Sequence, residues 1–573
     1  IKPAQETGVI FSAQASLYNM YVYFWRWAIW KAFQQAPEEK AIISFITASS
    51  WLDGPAFVGL RKLAVDTAND IWVLDLGGEG RGARKEENVF DIQSPVAIVT
   101  LVKSGKASRA AKIFYRRIRG TRQEKFLQLD EIKRLHADDG WIEIAAPNGE
   151  KFIPETTSEL WQQLPLLADL FPWQQPGIMY NRAWPVAPSP EVLKERWKFL
   201  LEDTDADSRA ERYVTGNSGR NIYTKVGSLE PLADLPVDAE PQPIVRMGWR
   251  SFDQQWTFDD PRLAKTDSPA LWQSLSDKQV FLVSPWTARI SNGPAATVAV
   301  GVPDKHYYCN RGGKDVIPLY RDQECEQPNV TAGLREKLED IMGLEVTPED
   351  FLAYCYALIA HGGYSEMFHD PLDSSPVRIP ITRDLQRFTQ AVEMGYELLW
   401  LQTFGQRFTS DARPLGRVPR IDGLFWLESV NTLPQDMKEI SYDAETHQLH
   451  IADGVISGVL PEVWTFEVSG MKVLDKWLGA RTRKGIGRAA GKSATPLDRI
   501  RPTEWEDEWN DELLDLLRML TRTVELGPQQ MQLLEEIVQG ELITADQLPS
   551  PTDAERKVPK TIKRDYGQTS ITF

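Results

Sequence analysis

At 573 residues the chain exceeds what one hydrophobic core organises, and roughly two to four domains are expected. Its 42% hydrophobic and 25% charged residues are those of an ordinary globular protein, with no apolar run long enough for a transmembrane helix and no secretory leader pattern at the start. A net charge of −16 excludes binding of nucleic acid by the whole surface but not by a local basic groove, and three cysteines (Cys309, Cys325, Cys355) without a CxxC pair fit a reducing cytoplasm.

In chain order, residues 16–35 are strongly aromatic and read as a helix. Ala41–Thr47 is a short continuous apolar run, the mark of a strand buried on both faces. Gly54–Ala68 reads as a helix, Ile71–Leu76 and Val96–Val102 as strands, and Ala110–Arg116 as a fourth strand. Helices alternating with buried strands predict an α/β domain with a mainly parallel sheet over residues 1–125. From about residue 126 the texture changes to frequent Pro and Trp, and 201–242 reads as long polar loops. Helices are expected over Thr347–Ala360 and near Arg383–Leu401, and Trp505–Gly540 reads as two helices. The division that follows is 1–125, 126–504, a helical support at 505–548 and a disordered tail at 549–573.

Three blocks near the start carry a chemical signature. Tyr18-Asn19-Met20-Tyr21-Val22-Tyr23-Phe24 resembles the fifth motif block of gamma-class DNA adenine-N6 methyltransferases, Ala41–Leu52 the sixth and seventh, and Val89-Phe90-Asp91-Ile92-Gln93-Ser94-Pro95-Val96-Ala97-Ile98-Val99 the eighth. The resemblance implies that Phe24, with Tyr21, lines the adenine pocket of S-adenosylmethionine. It implies that Phe90 stacks on the target adenine, which must leave the duplex to be methylated. Such stacking is worth ~1–3 kcal/mol per base. Taken singly, an aromatic stripe on a helix or a Phe before a strand reads as plain core; the order and spacing of the blocks together support the functional reading. The chain has no Pro-Pro pair, hence no Asn-Pro-Pro-aromatic catalytic tetrapeptide, and no FxGxG cofactor turn. Gly77–Gly82 follows a strand but opens no helix, and reads as a flexible loop beside the substrate cleft.

Further segments extend the resemblance to type ISP restriction–modification enzymes. Residues 77–96 are similar to their methyltransferase part. Val245–Trp256, with Trp249 and Ser251 in place of Tyr and Pro, resembles their Tyr-Arg-Pro-Phe-Asp-x-x-Trp segment, and Lys314–Tyr320 and Val468–Trp477 resemble their C-terminal specificity region. The fold implied is a partial Rossmann-like methyltransferase sheet, then a mixed α+β target-recognition region and C-terminal helices. The implied partner is double-stranded DNA. The family's polypeptide normally begins with a nuclease and helicase; no Walker A motif occurs here, so those parts lie upstream, on another chain or nowhere. On this reading the chain, opening on Ile1, is part of a longer enzyme and is inactive alone.

Two basic runs are candidate DNA contacts. One is Lys103–Lys125, with Lys106, Arg109, Lys112, Arg116, Arg117, Arg119 and Arg122; a solvated face explains it equally well. The other, Lys472–Arg501, is also Gly-rich, which lets backbone approach phosphate closely. Its candidates are Arg481, Arg483, Lys484, Arg488 and Lys492, and clustered cations contact phosphates more readily than bases. A zinc site around His306, Cys309 and Cys325 lacks ligand spacing, and no GxSxG turn supports a hydrolase. Two other classes remain: a non-catalytic DNA-specificity subunit docking on a separate catalytic chain, and an acidic DNA mimic suggested by charge alone.

Overall fold

The computed structural model describes residues 15–560 except 79–86, 93, 106–109, 137–139, 155–158, 181, 214–219, 286–289, 291, 309–313, 374–375 and 492–493, with backbone alone at 15, 16, 55, 314, 373, 488 and 489. The chain forms two compact units, Ile1–Thr156 and Thr157–Phe573.

The first unit is built on a five-stranded sheet. The aromatic segment folds as α1 (Met20–Ile29) and runs on into a π-helical turn at Trp30–Gln34. β1 (Ala41–Ala48), α2 (Val58–Thr67), β2 (Asp70–Gly77), β3 (Val96–Lys103), β4 (Lys112–Arg117), α3 (Arg122–Glu131) and β5 (Ile142–Ile144) follow. A capping box between Thr121 and Glu124 starts α3. The sheet order is β1-β3-β2-β4-β5, with β2–β4 parallel and the other three ladders antiparallel. The expected mainly parallel sheet is thus corrected. β1, β2 and β4 do share a direction, but β3 is inserted in reverse between β1 and β2. A buried strand's apolar run looks the same in either direction, so composition does not reveal the reversal. The outer edge of β1 has no partner strand among the described residues.

Both faces are covered over β2, β3 and β4, which explains their apolar runs; β1, expected to be buried on both faces, is buried on one only, with Ile42, Ser44 and Ile46 exposed. Trp25, Ile29, Trp51, Ala64 and Val65 pack with Ile43, Val73, Val99 and Ile113 in one cluster. Leu74, Leu76, Val96, Phe114 and Trp141 form the other, with Trp72 stacked on Phe114 at 4.3 Å between ring centroids. The unit reaches beyond residue 125. Buried Arg61 donates to the carbonyls of Trp51 (2.8 Å), Gly54 (2.8 Å) and Gly149 (2.9 Å), and Phe152 packs on Trp51. Burial lowers the Arg61 pKa to about 10.

In the second unit, β6 (Val186–Ala187) pairs with β8 (Asp253–Phe258), which pairs with β7 (Ile244–Arg250). β9 (Phe281–Pro285) lies between β10 (Thr297–Ala299) and β11 (Lys314–Pro318). Helices α4 (Pro348–Ile359) and α5 (Leu385–Gln402) meet so closely that a Cβ on Gly395 would lie 1.9 Å from the Ala353 carbonyl oxygen. The Thr347-Pro348-Glu349-Asp350 run starts α4 with a capping box. β12 (Phe425–Glu428), β13 (Ile440–Asp443), β14 (Gln448–Ile451) and β15 (Gly454–Ser457) form a sheet in the order β12-β15-β14-β13. α6 (Val473–Ala480) precedes α7 (Asp507–Gln539).

Three expectations change here. Trp505–Gly540 is one helix of 33 residues, α7, with Pro528 inside it. An internal proline costs about 3 kcal/mol, and the buried stripe from Leu513 to Ile537 outweighs it. Its leucines join the same core as residues 161–504, so it is no separate support. The 201–242 stretch contains a helix at Ala206–Tyr213, folded around buried Arg209, which donates to the carbonyls of Asp203, Leu201, Leu232, Ala233 and Leu235. The tail up to residue 560 is ordered: Arg556 pairs with Asp169 at 2.6 Å, and Ala332 donates to Glu555 at 2.8 Å. Residues 561–573 lie outside the described residues.

Candidate base pocket and nucleic-acid interface

In the first unit, the chemistry-bearing residues collect at the carboxyl end of β2, the end at which open α/β sheets bind ligands. Asp75 is buried there. Its carboxylate accepts from the Tyr115 hydroxyl at 2.8 Å and the Gly77 amide at 3.0 Å, with Arg117 at 3.8 Å. Burial, reinforced by Asp75, pushes the Tyr115 hydroxyl pKa well up. This network holds Gly77 and Gly78 in the left-handed region (φ +60° and +92°), and a Cβ on Gly78 would lie 2.5 Å from Asn88.

Asn88 then shapes the turn that bears Phe90. Its amide donates to the carbonyls of Gly78 (3.0 Å) and Ser94 (2.8 Å), and its oxygen accepts from the Phe90 amide at 3.0 Å. From α3, Lys125 clamps the carbonyls of Leu76 and Glu87, each at 2.7 Å, while Arg122 holds the Val89 carbonyl and Asp91. The Phe90 side chain, 41% exposed, is therefore a surface ring on a fixed turn. The Gly-rich loop expected beside it lies, from residue 79 to 86, outside the described residues.

The two cofactor candidates sit on α1 and differ. Phe24 is 57% exposed and presents an open ring. Tyr21 is half-buried, stacks near Phe57 and bonds Ser50 through its hydroxyl at 3.1 Å. The aromatic stripe is split: Trp25 is buried, whereas Met20, Tyr23, Phe24 and Trp27 are exposed.

Three cations of the first basic run are engaged by the fold, while Arg119 is exposed. Lys103 is buried and donates to the carbonyls of Phe33 and Ala36, and Lys125 and Arg122 serve the Phe90 turn. Lys106 and Arg109 lie outside the described residues.

The second run divides. Arg481 is fully buried, which corrects its assignment as a DNA contact. It pairs with Asp253 and Glu512, each at 3.2 Å, and lies 3.7 Å over the Trp477 ring. Burial raises the Asp253 pKa, against the pull of Arg481. Asp253 comes from Val245–Trp256 and Trp477 from Val468–Trp477, so two of the segments singled out in the sequence meet in this structural knot. In the same segment Gln255 is buried and donates to Asp253, and the half-buried Trp256 lies under the Arg246 guanidinium at 4.4 Å.

Arg483 and Lys484 instead line an open cleft of about 610 Å³ with Lys438, Arg499 and Arg501, opposed by the single carboxylate of Asp436. The backbone amides of Arg483 and Lys484 donate to the carbonyls of Pro434 and Gln435, which seats this loop beside the 434–439 segment. Lys484 bonds Asp436 at 2.7 Å, and Lys484 with the Lys438 amide holds the Asp436 carboxyl below its usual range. The side chain of Arg488 and all of Lys492 lie outside the described residues. Lys438 and Asp436, nearly fifty residues upstream of Lys484, carry no local signal that would have joined them to it. Among the described residues no group of three His, Cys, Asp or Glu converges as a metal site, and Cys309 lies outside them. No described helix is long and apolar enough to cross a membrane.

A family model described as the Type ISP C-terminal specificity domain matches residues 169–516. No curated protein matches the sequence. Three solved structures are similar in fold. A cryo-EM DrdV–DNA complex matches at 19% identity and TM-score 0.64, over 91% of this chain and 52% of that one. The ATP-dependent Type ISP restriction–modification enzyme LlaBIII bound to DNA matches at 18% and 0.62, over 92% and 35%. A nuclease-deletion mutant of the Type ISP enzyme LlaGI with a DNA substrate mimic matches at 16% and 0.60, over 92% and 41%. This chain thus spans about half the length of the first and less of the other two. With well over half its length matched by that family model, on a fold similar to these enzymes, the chain belongs to the Type ISP C-terminal specificity domain family.

Proposed function

We propose that the second unit reads a target site on double-stranded DNA for a restriction–modification enzyme. The observation that carries this reading is the cleft of Lys438, Arg483, Lys484, Arg499 and Arg501 on a unit of the specificity-domain family, within a chain of net charge −16. Concentrating cations in one groove is what phosphate binding requires of an acidic protein.

The first unit we infer to be the carboxyl half of an adenine-N6 methyltransferase core. Three features support this. The Phe90 ring is exposed on a fixed turn at the carboxyl end of the sheet. β1 has no strand on its outer edge among the described residues, and Ile42 and Ile46 are exposed. α1 leaves a face of Met20, Tyr23, Phe24 and Trp27 uncovered, as a further sheet-and-helix half would require. S-adenosylmethionine would supply the methyl group. Phe24 and Tyr21 fit one wall of its adenine pocket, and Phe90 would hold the extruded base. A second reading, a specificity subunit serving a separate catalytic chain, rests on the family match itself, which covers the specificity domain at residues 169–516.

Selection of duplexes from a random library by the full chain tests the DNA reading. An enriched site, bound with steep salt dependence, is expected; recovery of no common sequence sinks it. Labelled S-adenosylmethionine with the chain alone should give no methyl transfer to that site. An in-frame FxGxG and Asn-Pro-Pro-aromatic block upstream of Ile1 would support the methyltransferase-core reading, and a start codon there the subunit reading.

A further inference from the structure

We propose that the tip of the loop at residues 409–421 is an apolar wedge: Leu415 inserts between base steps of bound double-stranded DNA while Arg417 and Arg420 hold the flanking backbone. This rests on the DNA-recognition reading of the second unit and names the side chains that deform the site. Leu415 is the most exposed large apolar side chain among the described residues, at 72%.

A lone exposed leucine is ordinary; this one stands on a braced support. The Trp400 indole donates to the Pro414 carbonyl at 3.0 Å, and the Gly416 amide to the Gly405 carbonyl at 2.9 Å. Ser410 and Arg413 exchange backbone hydrogen bonds of 2.8 and 3.0 Å. Gly405, at φ +71°, lets the returning strand approach: a Cβ there would lie 2.7 Å from the Arg417 amide. Pro414 and Pro419 stiffen the backbone further. The tip therefore presents Leu415 to solvent at little further entropic cost on binding.

The loop carries one exposed carboxylate, Asp411, and three arginines that divide in role. Arg413 is committed to the base of the loop, paired with Glu393 at 2.7 Å and lying over Tyr396. Arg417 and Arg420 are exposed, and neither guanidinium has a hydrogen bond or ion pair with a described residue. A rigid leucine beside two uncommitted arginines is the equipment of proteins that unstack a base step and kink the duplex toward the wedge's far side. Arg417 and Arg420 complement phosphate, which an apolar protein partner would not offer them.

The test uses the full chain and the duplex enriched by the selection above, with 2-aminopurine placed at each position in turn. Wild type should brighten the probe at one step or two adjacent ones. Leu415→Ala should abolish that signal and weaken binding about ten-fold or more, with the salt dependence unchanged. Leu415→Phe should keep the signal. Arg417→Ala with Arg420→Ala should lower the salt slope by about 1.8. Wild-type binding with no brightening anywhere, or Leu415→Ala as bright and tight as wild type, overturns the wedge and leaves the DNA reading standing. No DNA binding by wild type overturns both.

Discussion

Replacing Lys438, Lys484 and Arg499 with Ala removes three of the exposed cations lining the basic cleft while leaving its walls in place. Each phosphate neutralised on duplex DNA contributes about 0.9 to the slope of log affinity against log salt, so three lost contacts lower that slope by about 2.7. Between about 50 and 200 mM salt this is a difference of roughly 1.6 logarithmic units, so the triple variant should lose affinity about 40-fold less steeply than wild type across that range. Lys484 already shares its charge with Asp436 at 2.7 Å, which makes the figure an upper bound. The same pair supplies an internal control: Asp436→Asn frees Lys484 and should raise both affinity and slope. Fluorescence anisotropy of a labelled duplex over the salt range measures both. A triple variant with the wild-type slope would show that the cleft does not touch phosphate, and the reasoning from its charge would be refuted.

Arg481→Ala should destabilise the second unit by about 3–5 kcal/mol, because it strands the buried Asp253 carboxylate; denaturant unfolding reads it, and a stable variant with reduced salt slope would restore Arg481 as a DNA contact. Gly395→Ala drives a methyl against the Ala353 carbonyl at 1.9 Å. It should cost about 1–3 kcal/mol in the same assay, and an unchanged midpoint would argue against the close approach of α4 and α5. His361 is buried, its Nε2 has no partner among the described residues, and burial depresses its pKa from 6.5 to about 4. The unfolded chain therefore binds the proton first as acid is added. Stability is full above about pH 6.5 and falls by roughly 3 kcal/mol toward pH 4. His361→Gln should flatten that window, and equal acid sensitivity in the variant would assign the loss elsewhere.

Much of the fold was legible locally. The apolar runs at residues 71–76 and 96–102 are strands covered on both sheet faces, while the run at 41–47 is a strand covered on one face only. Thr347-Pro348-Glu349-Asp350 starts a helix because its side chains satisfy the first free amides. The segments Val245–Trp256, Lys314–Tyr320 and Val468–Trp477 pointed to the specificity family that residues 169–516 match. The site was only half legible. Arg481 and Lys484 are three residues apart in one basic run, yet one is sealed against Asp253 and Glu512 while the other lines an open cleft. A charge run records how many cations a segment carries, not which of them find carboxylates or carbonyls hundreds of residues away. The direction of β3, the fate of Arg481 and the joining of Lys438 to Lys484 depend on such distant partners. Hydrophobic period and capping act within a few residues and can be read along the chain; desolvation and ion pairing act across space, and only the folded chain decides them.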